Sequence, residues 1–395
     1  MRSLHVPVWL DAVSHPGIPS LVALYSISTF YRALLITVLP LLAHRLLGDA
    51  QRVSVFYFLV SLATVGGSLA LPWLIARFKR RFVLSFGALA APVGMALLAT
   101  DTMPGLALGM PIYVFSVACT EICLNLYVLE HVQRKELGRF EPTRIFFAAG
   151  AWMLGPWLGV QLSLIAPWLV YAVATIGSLA MLAYFWFLRM AEHPSVPPMK
   201  RPPPNPLRYI PRFFRQPRLR LAWVLAFGRS CWWTTFFVYG PILAVTSGLD
   251  AATAGLLISL GMGAMFMARF WGAVARRWGL RRMLISAYAA TGAVTIALGL
   301  AAGNPWLGAT LLVVSAFAAG AVDGAGNTPF LRAVRPLERA EMTTVFLTYR
   351  EVAQFTPPGV FSALLRVFDL PIAFIVVGGS MFALSLTSRY LPKRM

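Results

Sequence analysis

Charge is what this chain has least of. Only 12% of its 395 residues are Asp, Glu, Lys or Arg, against about 25% in soluble globular proteins. With 58% hydrophobic residues and a mean hydropathy of +0.72, no water-soluble surface can be built at this length. Cysteine is nearly missing too. Cys119, Cys123 and Cys231 all fall inside apolar segments, which excludes a disulfide framework. Cys119 and Cys123 flank Glu121 at helical spacing but lack a third strong ligand nearby, so no metal is expected. None of the four lysines, Lys79, Lys135, Lys200 and Lys393, follows a glycine, which removes the phosphate-binding loop of an ATP motor. Neither H-E-x-x-H nor G-x-S-x-G occurs, so the common metallo- and serine-hydrolase sets are absent and an enzyme is not expected. No cofactor is implied. Residues 1–17 lack the charged start, apolar core and cleavage site of a removable signal peptide, so the first span is expected to serve as the membrane signal.

Long apolar runs are what the chain has instead. Stretches able to span occur near 18–43, 52–76, 82–100, 104–131, 144–165, 167–188, 221–246, 252–275, 283–302, 306–331, 342–365 and 370–388. Backbone groups cannot go unpaired in lipid, so each is read as a helix, giving an all-α membrane protein of twelve transmembrane helices. With both termini cytoplasmic, 27 of the 34 Lys and Arg fall in cytoplasmic segments. The outside then carries only Arg45, Arg52 and Arg366, while Arg32, Arg229, Arg269 and Arg350 lie within spans. This obeys the positive-inside rule in every loop. The net charge of +20 therefore points to the anionic inner leaflet and not to nucleic acid. The compact, arginine-rich chain suits a bacterial inner membrane, and a monomer is expected.

The longest loop begins with a proline-rich stretch, 193–206, which cannot be continuously helical. Next comes RYIPRFFRQPRLR (208–220), where arginines alternate with Tyr209, Phe213 and Phe214. This segment either lies on anionic headgroups or is a plain basic linker. It divides the chain into a six-helix bundle (1–190), a linker (191–220) and a second six-helix bundle (221–395).

A shift of about 201 residues superposes the halves. Pro40 meets Pro241, Ala43 meets Ala244 and Asp49 meets Asp250; the basic loops 72–81 and 272–282 coincide within one residue; Pro156 meets Pro357. Glu121 and Asn125 meet Asp323 and Asn327 with one extra residue. Six spans per half make this a parallel repeat, with a substrate site expected between the halves near the midplane. The loop Gly272-Ala-Val-Ala-Arg276-Arg277-Trp-Gly279-Leu-Arg281-Arg282 resembles the G-x-x-x-D-R-x-G-R-R motif of the major facilitator superfamily, and the loop after span 2 keeps Arg77, Arg80 and Arg81. Both copies lack the motif's aspartate, which Ala76 and Arg276 replace. Gly150, Gly155, Pro156 and Gly159 on span 5 resemble a degenerate form of the glycine-proline motif of the family's exporters. The resemblance implies a two-bundle transporter working by alternating access, with spans 1 and 4 lining a cavity.

Ionisable groups at mid-bilayer cost at least about 2.5–3.5 kcal/mol each, so each needs a partner or a purpose. Arg32 on span 1 and Glu121 on span 4 lie at similar depth; Arg229 on span 7 and Asp323 on span 10 repeat the arrangement. Two ion pairs facing a cavity are expected. A carboxylate beside arginine gives up its proton readily and regains it when dehydrated or when a substrate takes the arginine, so the pairs serve proton coupling or act as static clamps between helices. Asn125 and Asn327, four residues after their acids, share their helix faces. Arg350 and Glu351 on span 11 point about 100° apart, and one of them is expected to face the cavity. Arg269 is expected to snorkel, and Glu130 and His131 read as interfacial. The glycines of 261–265 and 324–329 indicate either close packing or bends. The leading reading is a proton-coupled transporter of a small organic solute, the span-5 motif tipping the direction toward export. The alternatives are uptake of an anionic solute, or a non-transporting receptor or lipid-handling protein on the same scaffold.

Overall fold

The structure, a computed structural model, describes residues 18–131, 137–188, 206–301, 303–335 and 338–392. The proline-rich stretch 193–205 lies outside them. The first half forms α1 (Ile18–Leu47), α2 (Ala50–Phe78), α3 (Arg80–Leu98), α4 (Met103–His131), α5 (Leu137–Ile165) and α6 (Leu169–Phe187). A short helix, α7 (Pro206–Phe214), precedes α8 (Pro217–Thr246), α9 (Ala251–Met262), α10 (Ala268–Trp278), α11 (Leu280–Leu300), α12 (Pro305–Ala325), α13 (Thr328–Ala333), α14 (Arg339–Leu364) and α15 (Leu370–Thr387).

Among the described residues each of the twelve expected stretches is mainly helical, 306–331 with a break after Ala325. Length and apolarity alone pick out nine spans among the described residues. A tenth is α9 and α10 together, joined by a 3-10 turn at Gly263–Met267 and bent by 50°. The two remaining long helices, α8 and α14, run 30 and 26 residues. They are long enough to cross, but they hold Arg229, Arg350 and Glu351, so their polarity hides them from that test. Large apolar side chains such as Leu69, Val93, Ile176 and Val376 are exposed along the helices, as a lipid-facing surface requires. Trp73, Trp168, Trp186, Trp278 and Trp306 are exposed near helix ends, where indole rings favour the membrane–water boundary.

Helix starts follow ordinary capping chemistry. Asp250 caps α9 by accepting from the Thr253 amide at 3.2 Å, and hydrogen bonds from Thr253, its side chain first and then its amide, hold the carboxyl below the usual range. Asn304 caps α12 by accepting from Leu307 N at 3.2 Å, with Pro305 in the first turn, where no amide hydrogen is needed.

The turns carry the duplication into backbone conformation. Gly48, before α2, and Gly248, before α9, both have positive φ (75° and 98°). Between α2 and α3, Lys79 sits at φ 63°, ψ 149°; between α10 and α11, Gly279 sits at φ 84°, ψ 141°. The conformation is one that glycine adopts freely and lysine does not. The first half keeps it with a side chain in place.

Backbone packing divides the chain into two units: 1–38 with 62–198, and 39–61 with 199–395. The core of the first unit joins α1, α3, α4 and α6 through Leu21, Tyr25, Leu84, Cys119, Cys123, Tyr127 and Phe185. Cys119 and Cys123 are fully buried there. The second unit includes the end of α1 and the start of α2. Within it the Tyr239 hydroxyl donates to Ser54 Oγ at 2.9 Å, Gln51 Nε2 to the Ser362 carbonyl at 3.1 Å and Ser61 Oγ to the Gln354 carbonyl at 3.3 Å. A Cβ at Gly359 would meet the Phe58 ring at 3.0 Å.

Helix α7 packs within the second unit. Phe213 is 0% exposed, in a cluster with Leu219, Phe330, Met342, Phe346 and Tyr349, and Tyr209, Ile210 and Phe214 pack against it. Arg212 pairs with Glu338, which also accepts from Gln216 Nε2 at 3.2 Å. The aromatics of this segment thus pack on protein. The arginines at 212, in α7, at 215, just after it, and at 218 and 220, in the first turn of α8, are exposed.

Candidate functional site

In the first unit the site begins with how α1 is held. Tyr31, Ala33 and Leu34 are all fully buried. A Cβ at Gly177 would lie 2.8 Å from Tyr31 Cβ, one at Gly155 2.4 Å from Ala33 Cβ, and one at Gly159 only 1.8 Å from the Leu34 carbonyl oxygen. Two glycines of the span-5 motif therefore let α5 press directly against α1 beside Arg32. Gly150 has nothing within 4 Å and takes no part in that contact. So held, Arg32 donates from Nη2 to Glu121 Oε2 on α4 at 3.0 Å, with the side chains 20% and 39% exposed. One turn further along α4, Asn125 Oδ1 accepts from the Tyr25 hydroxyl, and the Arg144 guanidinium lies 4.7 Å from the centre of the Tyr25 ring.

The second unit holds a larger network around Arg229 on α8. Its Nε lies 3.3 Å from Asp323 Oδ1 on α12, the side chains being 11% and 39% exposed. Its Nη1 donates to the Gly326 carbonyl at 3.2 Å, and its Nη2 to Asn327 Oδ1 at 3.4 Å and to the Tyr349 hydroxyl at 3.3 Å. Trp233, one turn after Arg229, donates from Nε1 to Asp323 Oδ2 at 2.7 Å.

Two of these contacts depend on a break. Helix α12 stops at Ala325, Gly326 takes φ 52°, ψ −134°, and α13 resumes at Thr328. The glycine run 324–329 is thus a bend beside Asp323, and the 261–265 run is the second bend, between α9 and α10. The break corrects one expectation: Asn327 does not share a helix face with Asp323, because no helix joins them. It meets Arg229 across the interruption, where Arg229 also takes a carbonyl released from helical bonding. Breaks in membrane helices are tolerated when such partners exist.

On α14, Arg350 is exposed and its Nε donates to the Tyr349 hydroxyl at 3.3 Å. Glu351 is half-buried. The side chains of Arg269, Glu130 and His131 lie outside the description. In the loop motifs, Arg80 lies 5.5 Å from the Tyr127 ring centre and Arg81 4.8 Å from that of Phe82. Arg77, Arg276, Arg277 and Arg282 are exposed and Arg281 is half-buried. Gly272 faces nothing nearer than Arg276 Nη1 at 3.7 Å, so only Gly279 of the motif's glycines is required by geometry. Tyr25, Trp233 and Tyr349 were not among the expected site residues. The i, i+4 spacing of Trp233 from Arg229 was a usable signal; Tyr25 and Tyr349 gave none.

The sequence model of the Major Facilitator Superfamily matches residues 21–358. No curated protein sequence matches the chain. Among solved structures, that of the nucleoside transporter NupG is similar with a TM-score of 0.72 at 16% identity, over 96% of this chain and 99% of that one. A POT family transporter in complex with 5-aminolevulinic acid is similar with a TM-score of 0.73 at 14% identity, over 94% and 95%. Another POT family structure, in complex with a thioalcohol-conjugated peptide, gives 0.74 at 13%, over 94% and 95%. At such identities the likeness is one of fold. The family match, spanning most of the sequence, and the all-helical multi-pass architecture agree: the chain belongs to the major facilitator superfamily of membrane transporters and is not an enzyme.

Proposed function

We propose that this transporter moves a small organic solute by alternating access, coupled to protons and in the export direction. The observation that supports the reading is the recurrence of one device. Each half sets an arginine from its first span against a carboxylate from its fourth, and each carboxylate is more exposed than its arginine. A solute group that occupies either arginine leaves the carboxylate to take up a proton, and departure of the solute returns the proton to water. Asn125 and Asn327 sit beside the acids as hydrogen-bonding groups for the solute. The direction rests on the span-5 motif, whose Gly155 and Gly159 bring α5 against the arginine-bearing stretch of α1. The basic loops 77–81 and 276–282 are the conformational loops in this reading, on a cytoplasmic face shared by both termini and lined by anionic lipid, in a bacterial inner membrane.

The test is proton movement by the purified protein in liposomes on addition of a solute library, repeated with Glu121→Gln and Asp323→Asn. Solute-dependent proton movement in the wild type and its loss in both variants is the expected result. Wild-type behaviour in both variants removes the coupling role. A second reading, uptake of an anionic solute, is favoured by one observation: Arg350 is an exposed mid-span cation with no carboxylate in ion-pair range among the described residues.

A further inference from the structure

Arg350 stands near the middle of α14, eleven residues from its start at Arg339 and fourteen from its end at Leu364. A guanidinium there faces water or pairs with something, because exposure to hydrocarbon costs several kcal/mol. It does not pair with Glu351, whose side chain leaves the helix about 100° away. Its described contacts are with Tyr349 alone: Nε donates to the hydroxyl at 3.3 Å, and the guanidinium carbon stands 5.9 Å from the ring centre. Both Nη groups are left without a described partner.

Arg229 is in the opposite condition. Its guanidinium already serves a carboxylate, a carbonyl, an amide oxygen and the same Tyr349 hydroxyl. Tyr349 is 1% exposed and its oxygen accepts from both arginines. One phenol therefore ties a saturated guanidinium to an unsaturated one and fixes the second by its Nε. A guanidinium held at Nε presents its two terminal nitrogens as a fork, the arrangement that takes a carboxylate through two parallel hydrogen bonds.

We infer that Arg350, positioned by Tyr349, is an anion-binding group for the carboxylate of a small organic acid, which makes an organic acid the substrate class of this transporter. The inference rests on the transport reading above but not on its direction or its proton coupling. Bound there, the acid lies beside the Arg229–Asp323 pair, linked to it through a single hydroxyl. Arg350 is the binding residue; Tyr349 is a positioning residue, since it acts through Arg350.

The experiment uses the full chain in nanodiscs of phosphatidylcholine alone, so that anionic lipid does not compete. Thermal unfolding and equilibrium binding are measured with acetate, succinate and benzoate and with their neutral counterparts acetamide, succinamide and benzyl alcohol. The expected result is a concentration-dependent rise in unfolding temperature with at least one acid and none with its neutral counterpart. Arg350→Gln should weaken that acid by about tenfold or more, the loss of a charged hydrogen bond. Arg350→Lys should keep part of the affinity, and Tyr349→Phe should weaken the acid less than Arg350→Gln does while leaving the wild-type fold by circular dichroism. Repeating the titration with 20% phosphatidylglycerol separates a lipid headgroup from a soluble acid: loss of binding on adding that lipid assigns the fork to lipid and overturns the inference. No rise with any acid, an equal rise with the neutral partner, or unchanged affinity in a folded Arg350→Gln protein also overturns it. Intact acid binding with no solute-driven proton movement would remove the coupling reading and leave this one standing.

Discussion

Replacing Arg229 with methionine and Asp323 with asparagine removes the same ion pair from its two ends, yet the structure gives the changes very different costs. Methionine keeps much of the arginine's stem but leaves the Gly326 carbonyl and Asn327 Oδ1 without their donor, takes one of two donors from the Tyr349 hydroxyl, and leaves Asp323 without its counter-ion. Each hydrogen bond to a charged group contributes about 1.5–3 kcal/mol when well formed. The three hydrogen bonds are 3.2–3.4 Å long, the carboxylate contact is an ion pair at 3.3 Å, and Asp323 is 39% exposed, so the lower figure applies and the values do not simply add. A loss of about 3–5 kcal/mol follows for Arg229→Met, part of it from the carbonyl at the α12–α13 break. Asparagine at 323 still offers an oxygen to Trp233 or to Arg229, and Arg229 keeps three other acceptors, so Asp323→Asn should cost about 1 kcal/mol. The assay is reversible unfolding of the purified protein in mixed micelles by titration with a denaturing detergent, followed by tryptophan fluorescence and circular dichroism. Equal costs within about 0.5 kcal/mol, or a greater cost for Asp323→Asn, would refute the assignment of Arg229 as the fastening of the broken helix.

The remaining predictions concern backbone and interface. Gly279→Ala forces a Cβ into a conformation that costs about 1–3 kcal/mol and should lower the unfolding temperature, whereas Lys79→Gly should stabilise by a net of up to about 1 kcal/mol and raise it; the reverse order would show that the left-handed turn at 79 is unstrained. Gly159→Ala drives a methyl group into the Leu34 carbonyl and should cost about 1–3 kcal/mol by overpacking, with reduced solute flux in liposomes, while Gly150→Ala should change neither reading. The Glu338 carboxyl is held below its usual range, first by the Gln216 amide and then by Arg212. The stabilisation from this depressed pKa is present at neutral pH and is lost as pH falls through the folded-state value. Hydrogen exchange in 206–214 should therefore quicken as pH is lowered through that value, after correction for intrinsic exchange, and Glu338→Gln should remove the pH dependence.

What the sequence made legible was whatever a membrane makes costly. Apolar runs located the helices because backbone must be satisfied within them. Basic loops supported the expected order of spans even for α8 and α14, whose own polarity conceals them. Arg32 with Glu121 and Arg229 with Asp323 could be paired by depth because four charges in hydrocarbon need partners. Uncharged partners left no such trace. Tyr25 and Tyr349 are ordinary aromatics in an aromatic-rich chain, and Trp233 stands in a run that encircles its helix, so which ring turns toward a carboxylate is decided by packing. The break at Gly326 was only half visible, since a glycine run serves close packing as well as bending, and Asn327 was misplaced for that reason. Lys79 was the least legible. Nothing in a lysine announces positive φ, although the repeat sets it opposite Gly279.

The attachment of 39–61 to 199–395 has a practical consequence for dissecting this molecule. No single scission of the polypeptide yields the two packing units intact. A gene divided within 189–205 would give a carboxy-terminal piece whose Tyr239 hydroxyl has lost Ser54 and whose bed for Phe58 at Gly359 stands empty, while the missing covering travels with the other piece. Such fragments should accumulate poorly when made singly and recover when made together, so complementation between them would report how firmly that short border segment is held.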